Sequence, residues 1–224
     1  MANKPYRIYR SNATGQWCCE IIEMKRLALL LGAIAVSTVF AFGQRIPYMA
    51  KIADGVYIDV AEVSVAAWLE YDRDISNRYG ANSPQRQAIV PDSLVFSTIY
   101  GYTYEKVKHQ ASLNKQYRNC PVVGLSREQC EDYCAWRTEK CKGNKRYQPK
   151  GKSVVFLLPS VSDYAMASDK AKTTNRLPGA TVKAKKFGRI NGLHDNVPEL
   201  LATSPTKHVP AEPHGFRCIA RMAR

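Results

Sequence analysis

Seven cysteines carry most of the chemistry available to this 224-residue chain, and their spacing limits what they could do. Cys18 and Cys19 lie near the start, and the other five are Cys120, Cys130, Cys134, Cys141 and Cys218. Zinc is one use, but the run C-x9-C-x3-C-x6-C contains no C-x2-C pair and fits no standard zinc pattern. A nucleophile at Cys120 or Cys141 is a second, and it has only nearby lysines to lower its pKa. Disulfides are the third, given an oxidising compartment; five cysteines leave at least one free or paired between chains. His194, His208 and His214 read as surface or packing residues rather than ligands. Gly151-Lys152-Ser153 resembles the end of a phosphate-binding loop, yet Arg146 stands where the first glycine is required, and a strand follows where a helix N-terminus should. Nucleotide binding is set aside on that ground.

The elements that must position these residues can be read from periodicity. Gly55 to Val60 has strand composition, and Ser64 precedes a helical run with Val65, Trp68, Leu69 and Asp72 on successive turns. Asn77 to Lys115 lacks periodicity and reads as a long ordered loop with short strands, its Phe96, Tyr100, Tyr102 and Tyr104 wanting burial. Ser126 and Gln129 form a capping box for a helix that turns Cys130, Tyr133, Cys134 and Arg137 to one side. Then come a basic loop (Lys140 to Lys152), a buried strand (SVVFLL) and a second capping box at Ser160 and Asp163. After another basic loop (Lys170 to Lys186), a last strand from Gly215 to Arg221 puts Phe216, Cys218 and Ala220 on one face and Arg217, Ile219 and Arg221 on the other. No internal repeat is visible.

Charge and the N-terminal region bear on location. Met24-Lys25-Arg26 precedes an apolar run of 14 residues, Leu27 to Phe40, followed by small residues at cleavage spacing. This pattern predicts a signal peptide over 24–43, an upstream extension over 1–23 that reads as an over-called start or a cytoplasmic tail, and one domain over 44–224. A membrane anchor is the competing reading, but a spanning helix needs roughly 20 residues. No cysteine follows the run to accept a lipid, so the chain is expected in the periplasm or at the outer membrane without a lipid anchor. Of the formal charge of +14, removal of 1–43 takes five basic and two acidic residues and leaves +11. That charge favours anionic partners: acidic proteins, anionic surfaces or polysaccharide for an exported chain, rather than nucleic acid. The hydrophobic content of 45% argues against disorder throughout.

Five collinear segments carry a likeness to a known family: Tyr57 to Ser64 (YIDVAEVS), Pro121 to Trp136 (PVVGLSREQCEDYCAW), Phe156 to Ala167 (FLLPSVSDYAMA), Gly192 to Leu200 (GLHDNVPEL) and Gly215 to Arg217 (GFR). Together they resemble the formylglycine-generating-enzyme, or sulfatase-modifying-factor, domain. Pro91 to Phe96 and Cys134-Ala135-Trp136-Arg137-Thr138 are similar to the branch found in gliding-motility and type IX secretion lipoproteins of Bacteroidetes.

The resemblance implies an α+β fold, the irregular, loop-rich formylglycine-generating-enzyme-like variant of the C-type-lectin fold. It further implies a disulfide between Cys134 and Cys218, with Cys120, Cys130 and Cys141 unassigned. A calcium site would fall on Asn196, the carbonyl of Val197 and Glu199, although Pro198 and a shortened segment depart from the family pattern. The family's oxidases bind copper through a cysteine pair before GFR, and here no cysteine occurs between Lys142 and Arg217, so neither copper nor that oxidation is expected. The leading expectation is therefore a non-catalytic scaffold or binding module with envelope proteins, secretion or motility machinery as partners. Its partner surface would lie on the basic loops, at Lys142, Lys145, Arg146, Lys150, Lys152, Lys183, Lys185 and Lys186, with Tyr100 to Tyr104 as a second patch. The alternatives are an anionic-polymer binder, for polysaccharide or nucleic acid, and a divergent enzyme on the same fold.

Overall fold

Two antiparallel strands and the C-terminal segment build the centre of the molecule. A computed structural model of the chain describes residues 46–147, 152–171, 179–180, 189–204 and 213–223. Strand β1 (Met49–Ala53) turns at Asp54-Gly55 into β2 (Val56–Asp59), Gly55 taking the positive φ of 67° that such a tight turn demands. Helix α1 (Val65–Tyr79) follows, capped by the Ser64 hydroxyl. Its buried residues include the four picked out by helical spacing: Val65, Trp68, Leu69 and Asp72.

The stretch expected to be a loop with strands is instead four short helices: α2 (Pro84–Ala88), α3 (Ser93–Tyr100), α4 (Tyr104–His109) and α5 (Ala111–Tyr117). Side chains of Ser83, Asp92 and Thr103 cap the first three, Pro84 opens α2, and Gly101 ends α3 in the left-handed region. Elements of five to eight residues are too short to display a period, which is why only their caps mark them.

Helix α6 (Arg127–Cys141) carries the expected capping box at Ser126 and Gln129 and buries Cys130, Tyr133 and Cys134. Strand β3 (Ser153–Leu157) follows; it is one-sided rather than wholly buried, with Val154 and Phe156 inward and Val155 and Leu157 outward. Helix α7 (Val161–Ser168) has the second capping box, Ser160 with Asp163. The C-terminal β4 (Ile219–Ala223) inserts between β2 and β3, giving an antiparallel sheet of order β1-β2-β4-β3. Seven helices and this four-stranded sheet make a loop-rich α+β fold among the described residues.

The last strand begins at Ile219 rather than at Gly215 as expected, but the chain leading into the central β4 and β4 itself bury residues on both sides. Phe216, Cys218 and Ala220 join the larger core, beneath α1 and α6, where Trp68 stacks on Tyr133 at 5.5 Å and meets Phe216 edge-on at 6.0 Å. Ile219 joins a smaller core with Ile52, Ile58, Ala167, Ile190 and Leu193. Among the described residues, no helix is long and apolar enough to cross a membrane.

Candidate functional site

A cleft of about 800 Å³ opens where β2 runs into α1, walled by α6 and by the crossing segment at Arg118 and Asn119. On its floor Arg137 donates two hydrogen bonds to Asp59, at 2.7 and 2.9 Å, and the Cys218 amide donates a third to the same carboxylate at 2.9 Å. Arg137 reaches this place because it lies three and four residues beyond Cys134 and Tyr133 on the inward face of α6. Its guanidinium also covers the Phe156 ring at 4.3 Å. Burial disfavours the guanidinium charge, but Asp59 outweighs it and holds the Arg137 pKa above its ordinary value. Nearer solvent, Tyr48 and Tyr147 contribute rings, while Glu70 and Arg73 stand one turn apart on α1.

Glu62 connects the cleft to a buried charge cluster. Arg217, wholly buried, donates to both oxygens of Glu199 at 2.5 to 2.9 Å and to the carbonyls of Asp59 and Asn191. Its guanidinium approaches Glu62 to only 4.0 Å. The Asn196 amide donates to Glu62 Oε1 at 2.8 Å, while Oε2 has no hydrogen-bond partner among the described residues. Burial raises the Glu62 carboxyl to about 7; Arg217 pulls it back and Glu199 pushes it further up. Gly192 is fitted against this carboxylate: a Cβ there would come within 2.9 Å of its oxygens.

The structure brings Cys134 and Cys218 together, as buried thiols with sulfurs 3.4 Å apart, well beyond the S–S bond length of about 2.05 Å. Cys120, Cys130 and Cys141 are buried in the same core. Burial pushes the Cys130 and Cys141 thiols up; for Cys134 the hydrogen bond with Cys218 contributes most, then burial. Elevated, buried thiols make poor nucleophiles.

Of the basic residues singled out from the sequence, the four that fall among the described residues do not line the cleft. Lys142, Lys145, Arg146 and Lys152 are exposed, with Lys142 3.6 Å from Glu139. Lys150, Lys183, Lys185 and Lys186 lie outside the described residues, as do the expected signal segment and His208. His194 meets Ser168 at 3.1 Å. Tyr100 and Tyr104 are core residues rather than a surface patch, their hydroxyls donating to the Pro121 carbonyl and to Asp72, and Tyr102 is half-buried. The cleft residues Glu70, Arg73 and Arg118 gave no sequence signal beyond their charge.

As arranged, Asn196, Val197 and Glu199 do not fit calcium. That ion needs six to eight oxygens, whereas both oxygens of Glu199 face Arg217, Asn196 Oδ1 accepts the Ala180 amide at 3.0 Å, and the Asn196 NH2 faces Glu62. Among the described residues, no group of three or more His, Cys, Asp and Glu side chains is placed to hold a metal ion. Comparisons reach no further than this geometry: no family model, no curated protein and no solved structure matches the chain.

Proposed function

We propose that the protein is an exported, non-catalytic binding or scaffold module of the bacterial envelope, associated with type IX secretion or gliding motility. Its scaffold is the formylglycine-generating-enzyme-like variant of the C-type-lectin fold. One observation carries this reading: the cleft is open, yet the charged pair on its floor is mutually neutralised and all five described cysteines are buried. Such a site can recognise a partner but offers no activated nucleophile. Cys134 and Cys218 are the framework pair. Oxidation closes a loop of 84 residues and contributes roughly 4 kcal/mol in the chain-entropy model.

Crosslinking followed by pull-down from the native envelope tests the module, with secretion or motility components as the expected captures. Incubation with a sulfatase-type cysteine peptide, copper and oxygen tests the catalytic exclusion; conversion of that cysteine to formylglycine would overturn it. Peptide mapping without reductant is expected to recover Cys134 joined to Cys218, and finding both thiols free in exported protein would remove the framework assignment.

A further inference from the structure

Helix α6 carries three buried thiols, Cys130, Cys134 and Cys141, and Cys218 meets the helix at the middle one, its sulfur 3.4 Å from that of Cys134. Which thiol it meets is a matter of register. Cys130 lies one turn before Cys134 and faces the same core, and Cys141 lies two turns after it. A slip of one turn is a shift of about 5.4 Å along the helix axis.

The contacts that fix this register pass through Asp59. Its amide donates to the Cys218 carbonyl at 3.0 Å, and its carboxylate accepts the Cys218 amide at 2.9 Å, so Asp59 grips the peptide groups on both sides of the cysteine. The Asp59 carbonyl also accepts Arg217 Nη1 at 3.1 Å. The same carboxylate receives the two-pronged guanidinium of Arg137, which lies one turn beyond Cys134 on α6. A closed circuit results: the two sulfurs, one turn of helix, Arg137, Asp59 and the Cys218 amide. That turn is pinned to β3 as well, since the Thr138 hydroxyl donates to the Cys134 carbonyl and accepts the Phe156 amide, both at 2.9 Å. The side chains of Asp59 and Arg137 are only 8% and 16% exposed, so a slipped register would strand two poorly solvated charges.

We propose that the Asp59–Arg137 pair positions the thiols for oxidation, setting α6 against Cys218 so that the disulfide forms with Cys134 rather than with Cys130 or Cys141. This rests on the framework pair of the proposed module and adds what selects it. The chemistry is thiol–disulfide exchange with a small oxidised disulfide, for which glutathione disulfide serves. One cysteine thiolate attacks it and releases a glutathione thiol. The second cysteine then displaces the other glutathione, so the Cys134–Cys218 bond forms while two electrons and two protons leave in two glutathione thiols. Linkage makes the effect reciprocal: the closed bond holds Arg137 on Asp59, and the cleft floor and the framework stabilise one another.

The test refolds the reduced full chain in a glutathione redox buffer and maps every cysteine peptide, without reductant, at equilibrium. Wild type is expected to give Cys134 joined to Cys218 as the main product. Arg137→Met should lower the equilibrium constant for that bond about tenfold, equivalent to about 30 mV, and raise the Cys130–Cys218 and Cys141–Cys218 products. Arg137→Lys keeps the charge without the fork and should fall between, which preserves the test if Arg137→Met does not fold. Asp59→Asn should resemble Arg137→Met, and the double variant should lose no more than either single one, because each already opens the circuit. Arg86→Met disturbs a separate cluster, with Asp72 and Glu105, and should keep the wild-type pairing. Unchanged pairing in the Arg137 and Asp59 variants, or equal scrambling in Arg86→Met, would overturn the selection while leaving the framework bond in place. Both thiols free in oxidised wild type would remove the framework assignment and the selection together.

Discussion

Two buried charge clusters solve the same physical problem with opposite ratios of acid to base. In the first, the buried carboxylate of Asp72 on α1 receives Arg86 at 3.1 Å, Lys108 at 2.9 Å and the Tyr104 hydroxyl at 2.9 Å, and Arg86 also donates to the half-buried Glu105, so that only one of its two acids is fully buried. In the second, one cation, Arg217, serves two carboxylates, fully for Glu199 and at 4.0 Å for Glu62. Burial raises the Asp72 carboxyl, but hydrogen bonds from Arg86, Lys108 and Tyr104 outweigh it and bring the value down to about 2. The same burial, inadequately compensated, carries Glu62 to about 7. Desolvation is similar in kind at both places, so the count of donors per carboxylate decides the sign. The acid-poor cluster ties together α1, α2 and α4. The acid-rich one lies behind the cleft, next to Asn196 in its left-handed backbone at φ 80°.

The sharpest way to break this contrast is to remove the central cation from each cluster. Arg217→Met strands two buried carboxylates and is expected to lower stability by about 3–5 kcal/mol in urea denaturation at pH 7. Arg86→Met should lose less, because Lys108 and Tyr104 still serve Asp72. Equal losses would show that the two clusters do not differ as argued. Adding Glu199→Gln to Arg217→Met should recover part of the loss, since a neutral amide carries no stranded charge.

The next effect is a pH dependence of unusual direction. Glu62 holds its proton in the fold up to about 7, whereas the unfolded chain releases it near 4.5. The folded state therefore binds more protons across that window, and stability falls as pH rises through it, by up to about 3 kcal/mol from this group. Glu62→Gln should remove that slope: the variant gains on the wild type as pH rises from about 4.5 to about 7, and the difference levels off above that. A difference that stays constant with pH would sink the assignment.

How far the sequence reveals these clusters depends on whether both partners sit on one periodic element. The inward placement of Cys134 and Arg137 was legible because both belong to one long helix with a capping box. Asp72 was legible as a core position, with Val65, Trp68 and Leu69, but its partners come from two helices too short to show a period. Strand β1 went unread although Asp54-Gly55 marks its turn, a two-residue hairpin signal between apolar flanks. The Asp59–Arg137 pair, 78 residues apart, and the Arg217–Glu62 approach arise from sheet topology, and no local pattern encodes them. For that reason attention to charge runs picked loops at Lys142 to Lys152, while Arg73 and Arg118 owe their shared cleft to chain crossing.

The Asp72 cluster supplies the opposite pH limb with a smaller amplitude. Its carboxyl is depressed from 3.8 to about 2, so its contribution is complete above about 4 and disappears as pH falls through 2. The expected loss is about 2 kcal/mol, measured as the difference in acid denaturation between wild type and Asp72→Asn. Wild type should converge on the variant below pH 2 and exceed it above pH 4. The two clusters then bracket the stability profile, with Asp72 shaping its acid side and Glu62 its approach to neutrality.

The smallest expected effect discriminates most sharply between the sequence resemblance and the geometry of the acid-rich cluster. Asn196, Val197 and Glu199 would respond to calcium if their oxygens were available. Here a guanidinium already occupies the face of Glu199, so an entering dication would first have to expel Arg217 from a wholly buried position. Millimolar calcium should therefore leave the melting temperature of the wild type unchanged within about 1 °C, because a ligand stabilises only in proportion to its binding. Removing the cation alters the balance: Arg217→Met at low denaturant presents Glu199 and Glu62 without a counter-charge, and calcium should then raise its melting temperature. A rise in the wild type, or none in the variant, would mean that Arg217 is not what governs access to these oxygens.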